Sequence, residues 1–151
     1  MNSSAKMILV LSLIAAISAG LLAGTNVLTS PVIEKNDELR LQQSLAQVIE
    51  ADDFSSPEEE VDFPLWLARK NGNLVGYVVR LVGKGYSSAG IDMLIGLDTS
   101  AIVQGVTILS HSETPGLGDQ VKTKAWFLAQ FAGKGIDDPI ASGTDIDGIS
   151  G

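Results

Sequence analysis

The sequence predicts an α+β protein: one N-terminal transmembrane helix followed by a domain with a mostly antiparallel sheet and flanking helices. Three observations carry this reading. No charged residue occurs between Lys6 and Glu34. Further on, short β-prone runs are separated by turn chemistry, most clearly at Asn71-Gly72-Asn73. Apolar residues at helical spacing precede those runs, and a stretch without strand alternation follows them. The 151 residues therefore divide into an N-terminal segment and anchor, residues 1–33, and one domain, residues 34–151, long enough for its own core.

From Met7 to Leu28 the only polar side chains are Ser12, Ser18, Thr25 and Asn26. At about 1.5 Å per residue, this run crosses a hydrocarbon core of about 30 Å. A cleaved secretory signal is the competing reading, with Ser18-Ala19-Gly20 as its small-residue box. Apolar residues continue past that box, which favours an uncleaved anchor in the lipid bilayer. Lys6 and the terminal amine precede the span, while Lys35 and Arg40 follow it among Glu34, Asp37 and Glu38. Charge thus leans toward a cytoplasmic N-terminus and otherwise leaves orientation open. Gly20 and Gly24 form a small-xxx-small pair able to seat another helix, a spacing that apolar helices also reach by chance.

After Pro31, the recurrence of Leu41, Leu45, Val48 and Ile49 predicts an amphipathic helix from about Glu34 to Glu50. Glu50 to Asp62 holds seven acidic residues and no basic one, which reads as a solvated loop around Pro57. Leu65 to Lys70 and Leu74 to Val82 flank Asn71-Gly72-Asn73 and predict a hairpin. Two further strands follow, Ile91 to Leu97 and Ala101 to Ser110, joined at Asp98-Thr99-Ser100. Lys122 to Phe131 lacks strand alternation and predicts a short helix, ended by Gly133 and Gly135.

Composition removes several classes of function. The net charge is -8 and the ten basic residues are scattered, so no nucleic-acid partner is expected. Cysteine is absent, which excludes disulfides, thiolate metal sites and a cysteine nucleophile. His111 is the one histidine, with no second ligand or nucleophile paired to it in sequence. Asp145-Ile146-Asp147-Gly148 begins like a calcium loop but lacks its later ligands. Neither a metal nor a catalytic side chain is expected.

Two stretches have unusual chemistry. His111-Ser112-Glu113-Thr114-Pro115-Gly116-Leu117-Gly118 follows a predicted strand, and its Pro115-Gly116 pair suits a type II turn: proline presets φ and glycine accepts the positive φ that follows. Such a turn presents backbone groups rigidly, and Gly118 again lets backbone approach a flat ligand. An ordinary strand-to-helix loop accounts for the same residues. Gly83-Lys84-Gly85-Tyr86-Ser87-Ser88 joins two strands; its glycine spacing is not that of a phosphate-binding P-loop, and Tyr86 reads first as a surface or core aromatic.

Together, Gly83-Lys84-Gly85-Tyr86-Ser87, the strand from Ile91 to Asp98, the run from His111 to Gly118 and the ending Asp147-Gly148-Ile149-Ser150-Gly151 resemble the FMN-binding domains of membrane electron-transport complexes. Over its whole length the chain is similar to the G subunits of Rnf ion-translocating oxidoreductases. It is similar, less closely, to the C subunits of sodium-pumping NADH:quinone reductases, whose corresponding loop carries Leu-Trp-Ser instead of Gly85-Tyr86-Ser87. The resemblance implies FMN held as a phosphoester on a threonine of a Ser/Thr-Gly-Ala-Thr motif, installed by a separate flavin transferase. Ser150 and Gly151 match its first two letters, and the sequence stops before the alanine and threonine, which reads as truncation at that motif. Thr144 in Ser142-Gly143-Thr144 fails as the acceptor on spacing.

The resemblance also carries over Glu113, Thr114 and Leu117 as flavin-ring contacts, with Gly116, Gly118, His111 and Tyr86 beside them; a solvent-facing Glu113 remains the alternative. It implies a relay of single electrons within a complex of other membrane subunits, without independent catalysis, and a domain on the outer face of the cell membrane. A membrane-anchored flavin regulator without turnover is a rival, though such proteins usually add membrane helices and iron-sulfur motifs. A small-molecule reductase would need a substrate domain for which there is no room.

Overall fold

The computed structural model describes residues 3–57 and 61–149. The chain falls into two compact units, Met1–Arg40 and Leu41–Gly151. Helix α1 runs from Ser3 to Val48.

In the first unit the large apolar side chains of α1 point outward, Leu11 and Leu22 among them. The helix is long and apolar enough to cross a membrane. Three hydroxyls bond back to the helix: Thr25 Oγ1 donates to the Leu21 carbonyl at 2.7 Å, Thr29 Oγ1 to the Thr25 carbonyl at 2.9 Å and Ser30 Oγ to the Asn26 carbonyl at 2.8 Å. This is how polar side chains are accommodated where no water is available. The sequence placed a second helix after Pro31, whereas the structure carries α1 through it. Proline removes one N–H from the ladder, and neighbouring serine and threonine hydroxyls commonly accompany such a tolerated proline in an apolar helix.

In the second unit five strands form an antiparallel meander in the order β1-β2-β3-β4-β5. They are β1 (Asp53–Ser55), β2 (Leu65–Lys70), β3 (Asn73–Gly83), β4 (Ile91–Asp98) and β5 (Val103–His111). The β2–β3 hairpin closes where Lys70 pairs Asn73, with Asn71 at φ 52° and Gly72 at φ 77°. Two successive positive φ values define the type I′ turn expected of Asn-Gly. Between β4 and β5, Asp98 Oδ1 accepts the Ser100 and Ile102 N–H groups at 2.8 and 3.0 Å. Ala101, at φ 61°, therefore belongs to the turn, and β5 starts two residues later than its composition indicates.

Strand β1 replaces part of the expected acidic loop. Phe54 pairs Ala68 and packs on the core, while the Asp52 N–H donates to the Arg69 carbonyl at 2.8 Å. The single helix expected at Lys122 to Phe131 is two short ones, α2 (Gln120–Thr123) and α3 (Ala125–Ala129), separated by Lys124 in an extended conformation. After α3 the chain returns to the start of β5, where the Gly133 N–H donates to the Val103 carbonyl and the Val103 N–H to the Lys134 carbonyl, at 2.7 and 2.9 Å.

The core lies between the end of α1 and one face of the sheet. Leu45, Val48 and Ile49 pack with Ala68, Val78 and Leu94, all buried. Burying each larger side chain contributes about 1.5–3 kcal/mol. Contact is close because β4 and β5 present paired glycines there, Gly96 opposite Gly105. A Cβ on Gly96 would overlap the Val48 carbonyl oxygen, and one on Gly105 would lie 3.0 Å from it. On the same sheet, Arg80 grips Asp92 with both nitrogens, Nη2–Oδ2 at 2.6 Å and Nε–Oδ1 at 2.9 Å. The hydrogen bond to Asp92 holds the Arg80 guanidinium above its ordinary range, against the opposing effect of burial.

Gly96→Ala should destabilise the domain by about 3 kcal/mol, the upper end of overpacking costs. Gly72→Ala, which meets nothing within 4 Å and suffers only from its positive φ, should cost about 1 kcal/mol. Urea denaturation of the two variants measures the difference.

Candidate functional site

Both chemically unusual stretches leave the same end of the sheet. Across neighbouring strands Gly83 pairs Ile91, and Ile91 pairs His111. The loop after β3 and the loop after β5 are therefore neighbours in space although more than twenty residues apart in sequence.

Glu113 joins them. Its Oε1 accepts the Ser87 N–H at 3.1 Å, and its own N–H donates to His111 Nδ1 at 3.3 Å. The second bond requires Nδ1 to be unprotonated. Two glycines make room for the carboxylate. A Cβ on Gly85 would overlap Oε1, and a Cβ on Gly118 would lie 2.7 Å from the Glu113 Cβ.

The turn itself has the expected chemistry. The Leu117 N–H donates to the Thr114 carbonyl at 3.1 Å, spanning Pro115 and Gly116, and Gly116 sits at φ 80°. These are the hydrogen bond and the positive third-position φ of a type II turn. Asp119 then accepts the Gly116 N–H at 2.8 Å, and Gln120 Nε2 donates to the Gly116 carbonyl at 3.2 Å. Lys122 Nζ donates to the Leu109 carbonyl at 3.0 Å and ties α2 back to β5.

Around this framework the side chains expected to meet a ligand are open. Tyr86 is 100% exposed and Leu117 51% exposed, while Thr114 and Gly116 lie at the surface. Nothing lies within 4 Å of the position a Gly116 Cβ would take. Exposed apolar surface therefore lies beside a rigid, unobstructed turn.

Ser150 and Gly151 lie outside the described residues. The segment approaching them is held by Gln130, whose Oε1 accepts the Asp147 N–H at 2.8 Å and whose Nε2 donates to the Asp147 carbonyl at 3.3 Å. Asp145 Oδ2 accepts the Ala141 N–H at 3.3 Å, a loop-closing contact. Sequence reasoning did not single out Asp119, Gln130 or the backbone of Ser87. Asp119 had a usable signal, an aspartate just before a helix. Gln130 and Ser87 act across chain separations of 17 and 26 residues and had none.

The fold joins a helix long and apolar enough to cross a membrane to an α+β sheet domain, and comparison with known proteins makes this specific. Residues 1–48 match the RnfG N-terminal region and residues 85–151 match the FMN-binding domain, so FMN is the cofactor. The chain is 34% identical to the G subunit of the ion-translocating oxidoreductase complex of Vibrio atlanticus (strain LGP32), over 91% of this chain and 73% of that protein. It is 34% identical to the subunit of the same name from Cronobacter sakazakii (strain ATCC BAA-894), over 85% and 68%. For that of Vibrio vulnificus (strain YJ016) the identity is 32%, over 91% and 72%. The chain belongs to the family of G subunits of ion-translocating oxidoreductase complexes.

Gly116→Ala should cost about 1 kcal/mol, since alanine must adopt the positive φ of the turn. The variant should also bind FMN more weakly than the parent. Chemical denaturation and flavin-fluorescence titration of the same preparations check both effects.

Proposed function

We propose that this chain is the flavin-carrying electron relay of a membrane-bound ion-translocating oxidoreductase complex, working among other membrane subunits and without a substrate of its own. The observation that carries the proposal is the meeting of the 83–88 loop with the 111–118 turn, inside the segment that matches the FMN-binding domain. When bound, FMN supplies one-electron redox chemistry. The residues of this chain orient and shield it.

The backbone of Thr114 to Gly118 offers a rigid edge for the ring, with Leu117 and Tyr86 as apolar cover and Glu113 and His111 beneath the turn. Backbone hydrogen bonds to a bound ring shift its potential without any titrating group, which is the protein's share of cofactor chemistry. Covalent attachment, in this reading, is a phosphoester on the threonine of the motif whose first two letters Ser150 and Gly151 match in sequence. Small residues in such a motif let successive amides close on a phosphate. Attachment by a flavin transferase prevents loss of the cofactor outside the cell. The N-terminal helix then sits in the lipid bilayer with its N-terminus cytoplasmic and the domain, residues 34–151, on the outer face. The lack of charge between Lys6 and Glu34 and the family membership support the membrane placement.

Native protein taken from cells containing the transferase should give a flavin-fluorescent band on a denaturing gel. A dark band from such cells would overturn covalent attachment. Protease added outside spheroplasts should digest the domain, and full protection would reverse the topology.

A further inference from the structure

Glu113 is held on several sides within the protein, by its carboxylate, its N–H and its stem. Its Oε1 takes the Ser87 N–H, its N–H is held by His111 Nδ1, and its stem passes between Gly85 and Gly118, where side chains would not fit. Tyr86, one residue before the donor, is fully exposed and has no packing of its own to fix it. Without the carboxylate, the 84–90 loop keeps one local backbone bond, from the Gly90 N–H to the Ser87 carbonyl at 3.2 Å, and the Ser87 hydroxyl contact to the Ala89 N–H at 3.3 Å.

We infer that Glu113 is a positioning residue: it braces the Tyr86 loop against the Thr114–Gly118 turn through the Ser87 N–H, and it acts on flavin only through that loop. The inference rests on the flavin reading of this site. It differs from a ring-contact role in what it requires of the side chain. A brace needs an acceptor oxygen of the right length, so glutamine serves. A charge acting on the ring needs the carboxylate itself.

Full-length protein in detergent, made in cells lacking the flavin transferase and so free of cofactor, tests this by hydrogen exchange of the 84–90 segment and by FMN titration. Losing a charge-assisted bond to a backbone N–H raises local exchange by about tenfold. E113A should show that rise in 84–90 while β4 exchanges as before, and should bind FMN more weakly. E113Q, which keeps an acceptor oxygen but not the charge, should keep most of the parent's protection in 84–90 and match the parent in affinity and flavin potential. G85A, whose Cβ competes with Oε1, should behave like E113A. The double variant should be close to E113A alone, because the Glu113 atoms nearest the added methyl group are then gone and only Ile91 Cγ1, at 3.2 Å, has to yield.

Unchanged exchange in E113A would overturn the brace. So would an E113Q potential or affinity displaced as far as that of E113A, which would show that the charge meets the ring. If the parent chain failed to bind FMN while the exchange pattern held, the flavin reading would fall and the brace would stand.

Discussion

The domain depends on how closely the last turn of α1 approaches the sheet. The Val48 carbonyl occupies the space where side chains on Gly96 and Gly105 would project. Paired glycines on neighbouring strands weaken a sheet locally, since they add no side-chain contact and lose more chain entropy on folding. That cost is offset here because the bare strip lets Leu45, Val48 and Ile49 reach Ala68, Val78 and Leu94. With only a few fully buried residues among those described, that strip sets where the helix ends and on which face of the sheet the core forms.

Fixing the core face fixes the register, and the register assembles the site. A one-residue slip of β4 would turn Leu94 and Gly96 away from α1, so the pairing Gly83–Ile91–His111 follows from the same packing. The clamp between Arg80 and Asp92 lies near that end of the sheet and joins β3 to β4. Its worth is geometric as well as energetic, because a two-pronged guanidinium–carboxylate contact holds only in one register.

Much of this was legible in the sequence because it depends on local chemistry. Asn71-Gly72 predicts its turn type from two residues, and Pro115-Gly116 does the same for the other turn. Strand β1 was hidden because Asp52, Asp53 and the acids after Pro57 dominate the composition, while Phe54, which seats the strand, is a single residue whose partner Ala68 lies on β2. The break at Lys124 has no breaker residue to announce it. Pro31 gave the wrong signal, since a proline that ends helices in water is tolerated within an apolar one. At the site, the right stretches were visible but their connection was not. Glu113 reads as a ligand contact in a motif, and only the fold reveals that its oxygen is engaged by Ser87, from a different loop.

That connection explains how exposed residues form a site. Tyr86 is fully exposed and Leu117 half-exposed, so on their own they would lose rotamer and loop freedom on meeting a ligand, a cost of about 0.5–1.5 kcal/mol for each ordered side chain. In this fold rigidity resides in the backbone: Thr114 to Leu117 by the turn bond, Gly116 by Asp119, and Ser87 by Glu113. The side chains are left free of internal partners. A ligand then meets a frame whose ordering was completed on folding, and its binding free energy is spent on contact instead of on immobilising loops. In the electron relay proposed above, the same arrangement would keep the distance and orientation of the cofactor constant from one transfer to the next.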